Sequence, residues 1–148
     1  NRDFDGVIDG CSNRTETWIN TEIQLLYNDL HRMGHAHSLE VWMDGALAGG
    51  VYGVVVGTAF CGESMFSNRR DASKIALAWL VDQLLRTGFT LFDTQFLTPH
   101  LASLGAVEIT RAEYRKRLAE ALEQDADITG QPLAASGQDV VQRKSQTS

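Results

Sequence analysis

Between residues 38 and 66 the chain is laid out as three alternating runs separated by two turn signals. Leu39, Val41 and Met43 alternate with Ser38, Glu40 and Trp42, the period of a half-buried strand. Asp44-Gly45 follows, a dipeptide that tolerates the positive φ angles of a two-residue hairpin. A return strand passes through Leu47, Val51, Val54 and Val56 and carries Gly49 and Gly50 inside it. Paired glycines within a strand mark a bulge or a close backbone approach, by solvent or ligand. Gly57-Thr58 turns the chain again, and Ala59 to Phe66 supplies a third strand. The chain therefore contains an antiparallel meander.

The flanking segments read as helices and one further strand. Ile19, Ile23, Leu26, Leu30 and Met33 recur at helical spacing, with Asn20 as N-cap and Gly34 as stop, so a helix is expected from about residue 20 to 33. A second helix, opened by Asp71 or Ser73 and closed by Gly88, carries Ile75, Leu77, Trp79, Leu80, Leu84 and Leu85. Phe89 to Phe96 is a fourth strand, and Thr98-Pro99 opens a short helix that Gly105 ends. Val107 and Ile109 read as another strand, and Thr110 with Glu113 forms a capping box for a last helix through Tyr114, Leu118 and Leu122. The expected fold class is α/β (α+β), a mixed sheet with flanking helices and a helical crossover into the fourth strand. Residues 1–123 are expected to form one domain. Residues 124–148, polar and without sustained period, are expected to be a flexible tail.

Composition narrows the function classes. An apolar fraction of 43% and a charged fraction of 22% suit a globular chain. A net charge of −6 argues against gripping nucleic acid through a broad basic surface, while leaving contact with a small part of an RNA open. Cys11 and Cys61 have no metal spacing, and His31, His35, His37 and His100 share no face, so no metal is expected and a reducing compartment is favoured. No signal peptide is evident, nor a run of roughly eighteen apolar residues. The first residue is Asn rather than Met, which reads as a fragment.

Three constellations carry possible chemistry. Asp93 and Gln95 fall on one face of the fourth strand, about 7 Å apart by strand rise. They read equally as a general base with a hydrogen-bond relay or as a polar strand end. Glu63 sits among Phe60, Met65 and Phe66 beside Gly62, suited to an ammonium group next to an apolar wall. A surface ion pair is the commoner use of such a glutamate. Arg69, Arg70 and Lys74 surround the N-terminus of the second long helix, but the loop has no glycine to wrap a pyrophosphate, which counts against an acetyl-CoA site.

Six strings, in order, resemble the leucyl/phenylalanyl-tRNA–protein transferases. They are His35-Ala36-His37-Ser38-Leu39-Glu40-Val41-Trp42, Gly49-Gly50-Val51-Tyr52-Gly53-Val54, Phe60-Cys61-Gly62-Glu63-Ser64-Met65-Phe66-Ser67, Asp71-Ala72-Ser73-Lys74, Phe92-Asp93-Thr94-Gln95 and His100-Leu101-Ala102-Ser103-Leu104-Gly105-Ala106. The resemblance covers about residues 4 to 120. It implies an acetyltransferase-like (GNAT-type) catalytic domain, the C-terminal part of a bacterial cytoplasmic enzyme, monomeric and needing neither metal nor other cofactor. Such an enzyme moves Leu or Phe, less readily Met, from the 3′ end of its tRNA to proteins with N-terminal Arg or Lys, marking them for degradation.

By the same resemblance, Asp93 matches the proposed base, Gln95 its relay partner and Glu63 the acidic residue that helps bind the acceptor. Val51, Phe60, Met65, Leu77 and Leu80 match positions of the apolar side-chain pocket, Val51 standing where a larger methionine is frequent. Trp18 and Tyr27 match aromatics near the terminal adenosine. The sequence departs from the family in lacking its smaller preceding domain and in the polar stretch after Leu122. Two other readings remain: a CoA-dependent N-acetyltransferase, and an inactive fragment that binds peptides.

Overall fold

The computed structural model of the protein describes residues 1–13 and 17–146. Its elements are α1 (Phe4–Ser12), α2 (Thr21–Arg32), β1 (Ala36–Met43), β2 (Ala46–Val56), β3 (Ala59–Ser67), α3 (Ala72–Arg86), β4 (Leu91–Asp93), α4 (Pro99–Ser103), α5 (Arg111–Ala121) and α6 (Gly137–Gln146). The sheet order is β1-β2-β3-β4, with β4 parallel to β3 and the other pairings antiparallel. Helix α3 makes the crossover that a parallel pair requires. The protein is thus mixed α/β with helices on both faces of the sheet, as expected at that level. Among the described residues no helix is long and apolar enough to cross a membrane.

Strand β2 is buried on both sides, and its alternation assigns the two cores. Val51 packs with Leu39, Phe60, Leu77, Leu80 and Leu84 on the α3 face. Its neighbour Tyr52 packs with Phe4, Val7, Ile8 and Phe66 on the α1 face. The adjacent glycines of β2 follow from this double coverage. A Cβ on Gly49 would stand 2.7 Å from the Ala72 Cβ at the start of α3, and one on Gly50 would stand 3.0 Å from Val7 of α1. The close approach is by helices, not by solvent or ligand. The bulge is real too, since Val41 pairs with Gly49 but Trp42 with Leu47, leaving Ala48 as the extra residue.

Several boundaries differ from the sequence reading. Helix α1 was not expected. Asp3 caps it by accepting from the Gly6 N–H at 3.0 Å, and Phe4, Val7, Ile8 and Cys11 make its buried stripe. The helix opened at residue 72 takes nothing from the Asp71 side chain. Asp71 pairs with Lys74 at 2.9 Å, and Ser67 Oγ accepts from the Ser73 N–H instead. At Thr110 the capping box is half formed. Thr110 Oγ1 accepts from the Glu113 N–H, while the Glu113 carboxylate turns to Arg117 at 2.7 Å.

Strand β4 is three residues long rather than eight, because the Asp93 side chain takes the Gln95 N–H and turns the chain out of the sheet. Val107 and Ile109 form no strand. The segment after Gln124 is packed against the domain through residue 143, with residues 147–148 outside the described part. Ile128 is buried in the α3 core, and Gln83 donates to the carbonyls of Ile128 and Gln131, both at 2.7 Å. Buried Asp82 receives a two-pronged ion pair from Arg143 of α6. Polar composition concealed these anchors, since their partners lie on α3.

Candidate active site

A second bulge builds the site. Tyr52 pairs with Ser64, but Gly53 pairs with Gly62, so Glu63 is the extra residue of β3. The slip explains how Phe60 and Met65, an odd number of residues apart, both reach the α3 core. It also frees Glu63 from the ladder. The Glu63 carboxylate accepts from Gln95 Nε2 at 3.0 Å and lies close enough to the Tyr27 hydroxyl of α2 to raise its pKa.

Gln95 reaches Glu63 because of the turn that ends β4. Asp93 Oδ1 accepts from the Gln95 N–H at 2.8 Å, and Gln95 adopts φ +65, a left-handed conformation uncommon for a side-chain-bearing residue. The other Asp93 oxygen, Oδ2, accepts from the Tyr114 hydroxyl of α5 at 2.8 Å. Glu63, Gln95, Asp93 and Tyr114 thus form one continuous polar chain drawn from β3, the β4 turn and α5, with Tyr27 of α2 near its Glu63 end. Both phenols stay protonated. Burial first, then Glu63, raises Tyr27 beyond the ordinary tyrosine range, and the Asp93 hydrogen bond with some burial raises Tyr114 to about 12. Cys61 lies opposite Asp93 in the β3–β4 register, and burial together with Asp93 and Glu63 pushes its thiol up.

The remaining residues singled out in sequence fall into two groups. Trp18 is 51% exposed and meets Tyr27 edge-on, ring centres 6.3 Å apart, so these aromatics sit together beside Glu63. Val51, Phe60, Leu77 and Leu80 share one core cluster, with Met65 packed against it. A cavity of about 960 Å³ opens alongside Leu77, Asp93, Gln95 and Tyr114, and a smaller one of about 250 Å³ alongside Phe60 and Leu80. Val51, Met65, Glu63, Trp18 and Tyr27 line neither cavity. Two residues passed over in sequence belong here. Phe92 packs edge-on to Phe60 at 5.7 Å and lines the larger cavity beside Asp93. Strand alternation would have set Phe92 on the face opposite Asp93, so no pattern in the sequence marked it. For Tyr114 no local signal existed.

His31 and His37 hold backbone: His31 Nδ1 lies 2.7 Å from the Ala36 carbonyl and His37 Nε2 3.0 Å from that of Gly34. Among the described residues no group of His, Cys, Asp and Glu could hold a metal ion.

Comparison with known proteins identifies the class. A family model described as leucyl/phenylalanyl-tRNA protein transferase matches residues 1–119. A relative of that name from Ruegeria pomeroyi is 67% identical over 147 residues, covering 99% of this chain and 70% of the relative. Relatives of the same name from Ruegeria sp. strain TM1040 and Roseobacter denitrificans are 65% and 63% identical, each covered over 70% of its length. The chain is an aminoacyltransferase by these matches. It belongs to the leucyl/phenylalanyl-tRNA protein transferase family.

Proposed function

We propose that this chain transfers Leu or Phe, less readily Met, from aminoacyl-tRNA to the α-amine of proteins that begin with Arg or Lys. The observation that carries the reading is the Glu63–Gln95–Asp93 chain, whose Gln95 and Asp93 line the large cavity together with Leu77 of the apolar cluster. The neutral acceptor amine attacks the ester carbonyl carbon, and a new C–N bond forms. Asp93 takes the proton released from that nitrogen. The C–O bond to the terminal ribose then breaks, and the proton passes to the departing ribose oxygen. Gln95 fixes Asp93 and Glu63 relative to each other, and Glu63 offers negative charge to the acceptor's basic residue. Exposed Trp18, backed by Tyr27, offers a stacking face to the terminal adenosine.

A GNAT-type arrangement fits the meander followed by a helical crossover into a parallel strand, with a bulge beside the site. A cytoplasmic monomer that marks proteins for degradation is the setting proposed for this reaction. The test is transfer of labelled Leu from Leu-tRNA to a model protein beginning with Arg. Asp93→Ala should lower kcat by roughly 100-fold or more, the usual worth of a positioned base, while the melting curve stays cooperative. An undiminished rate would overturn the assignment.

A further inference from the structure

Tyr114 sits one turn into α5, four residues after the cap Thr110. Its ring and Leu118 pack against Ala59, Leu91 and Ala121, which fixes where the hydroxyl points. That hydroxyl meets Asp93 Oδ2 at 2.8 Å, while the Gln95 N–H meets Oδ1 at 2.8 Å. Asp93 is the last residue of a three-residue edge strand, so little else restrains its side chain. Two donors on the two oxygens, one from its own turn and one from a separate helix, set the rotation of the carboxylate plane. The arrangement leaves further lone pairs facing the cavity that Asp93 and Tyr114 both line.

We propose that Tyr114 is a positioning residue for aminoacyl transfer: its hydroxyl donates to Asp93 Oδ2 and aims the carboxylate at the acceptor nitrogen. This inference rests on Asp93 as proton acceptor. The phenol, raised to about 12, keeps its own proton through the neutral range and acts as a donor throughout. Tyr114 therefore sets the orientation of the base from a helix outside the sheet.

Tyr114→Phe keeps the ring and removes the donor. Its effect is read by steady-state transfer kinetics and by the melting curve. Turnover should fall roughly tenfold, the worth of a hydrogen bond to a charged group, with KM for acceptor and aminoacyl-tRNA near the parent values. A role confined to docking α5 would lower Tm and leave turnover of the folded enzyme at the parent value. Parental turnover, or a loss confined to KM, overturns the inference while Asp93→Asn remains inert. Full turnover by Asp93→Asn would instead overturn the reading of Asp93, and the role of Tyr114 with it.

Discussion

Ile128 lies beyond residues 1–119, which the family model matches, yet it is only 8% exposed within the cluster that holds Phe60, Leu77 and Leu80. Ile128→Ala removes three buried carbons, worth about 2.4 kcal/mol at roughly 0.8 kcal/mol each. Void formation normally adds to this and carries such substitutions to about 2–5 kcal/mol. Here Ile128 already borders a cavity of about 250 Å³ that is also lined by Glu40, Gln83 and Thr129. Polar walls admit water into the enlarged space, which places the loss toward the lower end, about 2–3 kcal/mol. For a chain of this size that corresponds to a Tm lower by about 5–10 °C. Differential scanning calorimetry at one protein concentration, with a rescan for reversibility, measures it directly. A Tm within about a degree of the parent would mean that the segment after Gln124 contributes nothing to the core.

Two further outcomes test the site. Leu80→Phe adds bulk beside Phe60, so the ratio of kcat/KM for Leu-tRNA over Phe-tRNA should rise roughly tenfold, as a misfit in an apolar pocket does; an unchanged ratio removes Leu80 from the donor pocket. Cys61 faces burial and the carboxylates Asp93 and Glu63, all of which disfavour its thiolate. The rate of alkylation by iodoacetamide should therefore rise with pH around a midpoint above that of an ordinary cysteine, and Asp93→Asn should bring that midpoint down. A parental midpoint at or below the ordinary value would contradict the geometry.

What was legible in the sequence was local. Asn20, Thr98 and Thr110 cap helices as read, each accepting from the N–H three residues on. The meander and its two turns lie where Asp44-Gly45 and Gly57-Thr58 place them. Helix α1 was concealed because Asp5, Gly6, Asp9 and Gly10 make a poor helical stretch by propensity. Yet Gly10 is there for packing, since a Cβ would stand 2.6 Å from the Phe66 ring. The early end of β4 was concealed for the opposite reason. Phe89 to Phe96 has strand composition throughout, and one carboxylate competing for a backbone N–H ends the ladder. Glu63, Asp93 and Gln95 stood out as polar residues among apolar ones. Their junction with Tyr27 and Tyr114 depends on helices far away in sequence, and no pattern within β3 or β4 encodes it.

The site also poses an electrostatic problem that its own donors resolve. The bulge at Glu63 and the turn after Asp93 bring two carboxylates from neighbouring strands to either end of one glutamine. Like charges so placed disfavour each other's ionisation unless hydrogen bonds offset the repulsion. The Gln95 amide, the Gln95 N–H and Tyr114 supply those bonds. Each is a neutral donor, so the chain lowers the cost of holding two negative charges without cancelling them. Burial, with the same field added to it, keeps Cys61 a thiol. Among the described residues no cation pairs with Glu63 or Asp93, so the cluster keeps net negative character that an arriving cation can complete. On the proposed reading, that is the physical reason for an acceptor beginning with Arg or Lys. The acceptor's side chain brings positive charge to these carboxylates, while its uncharged α-amine is the group presented to Asp93.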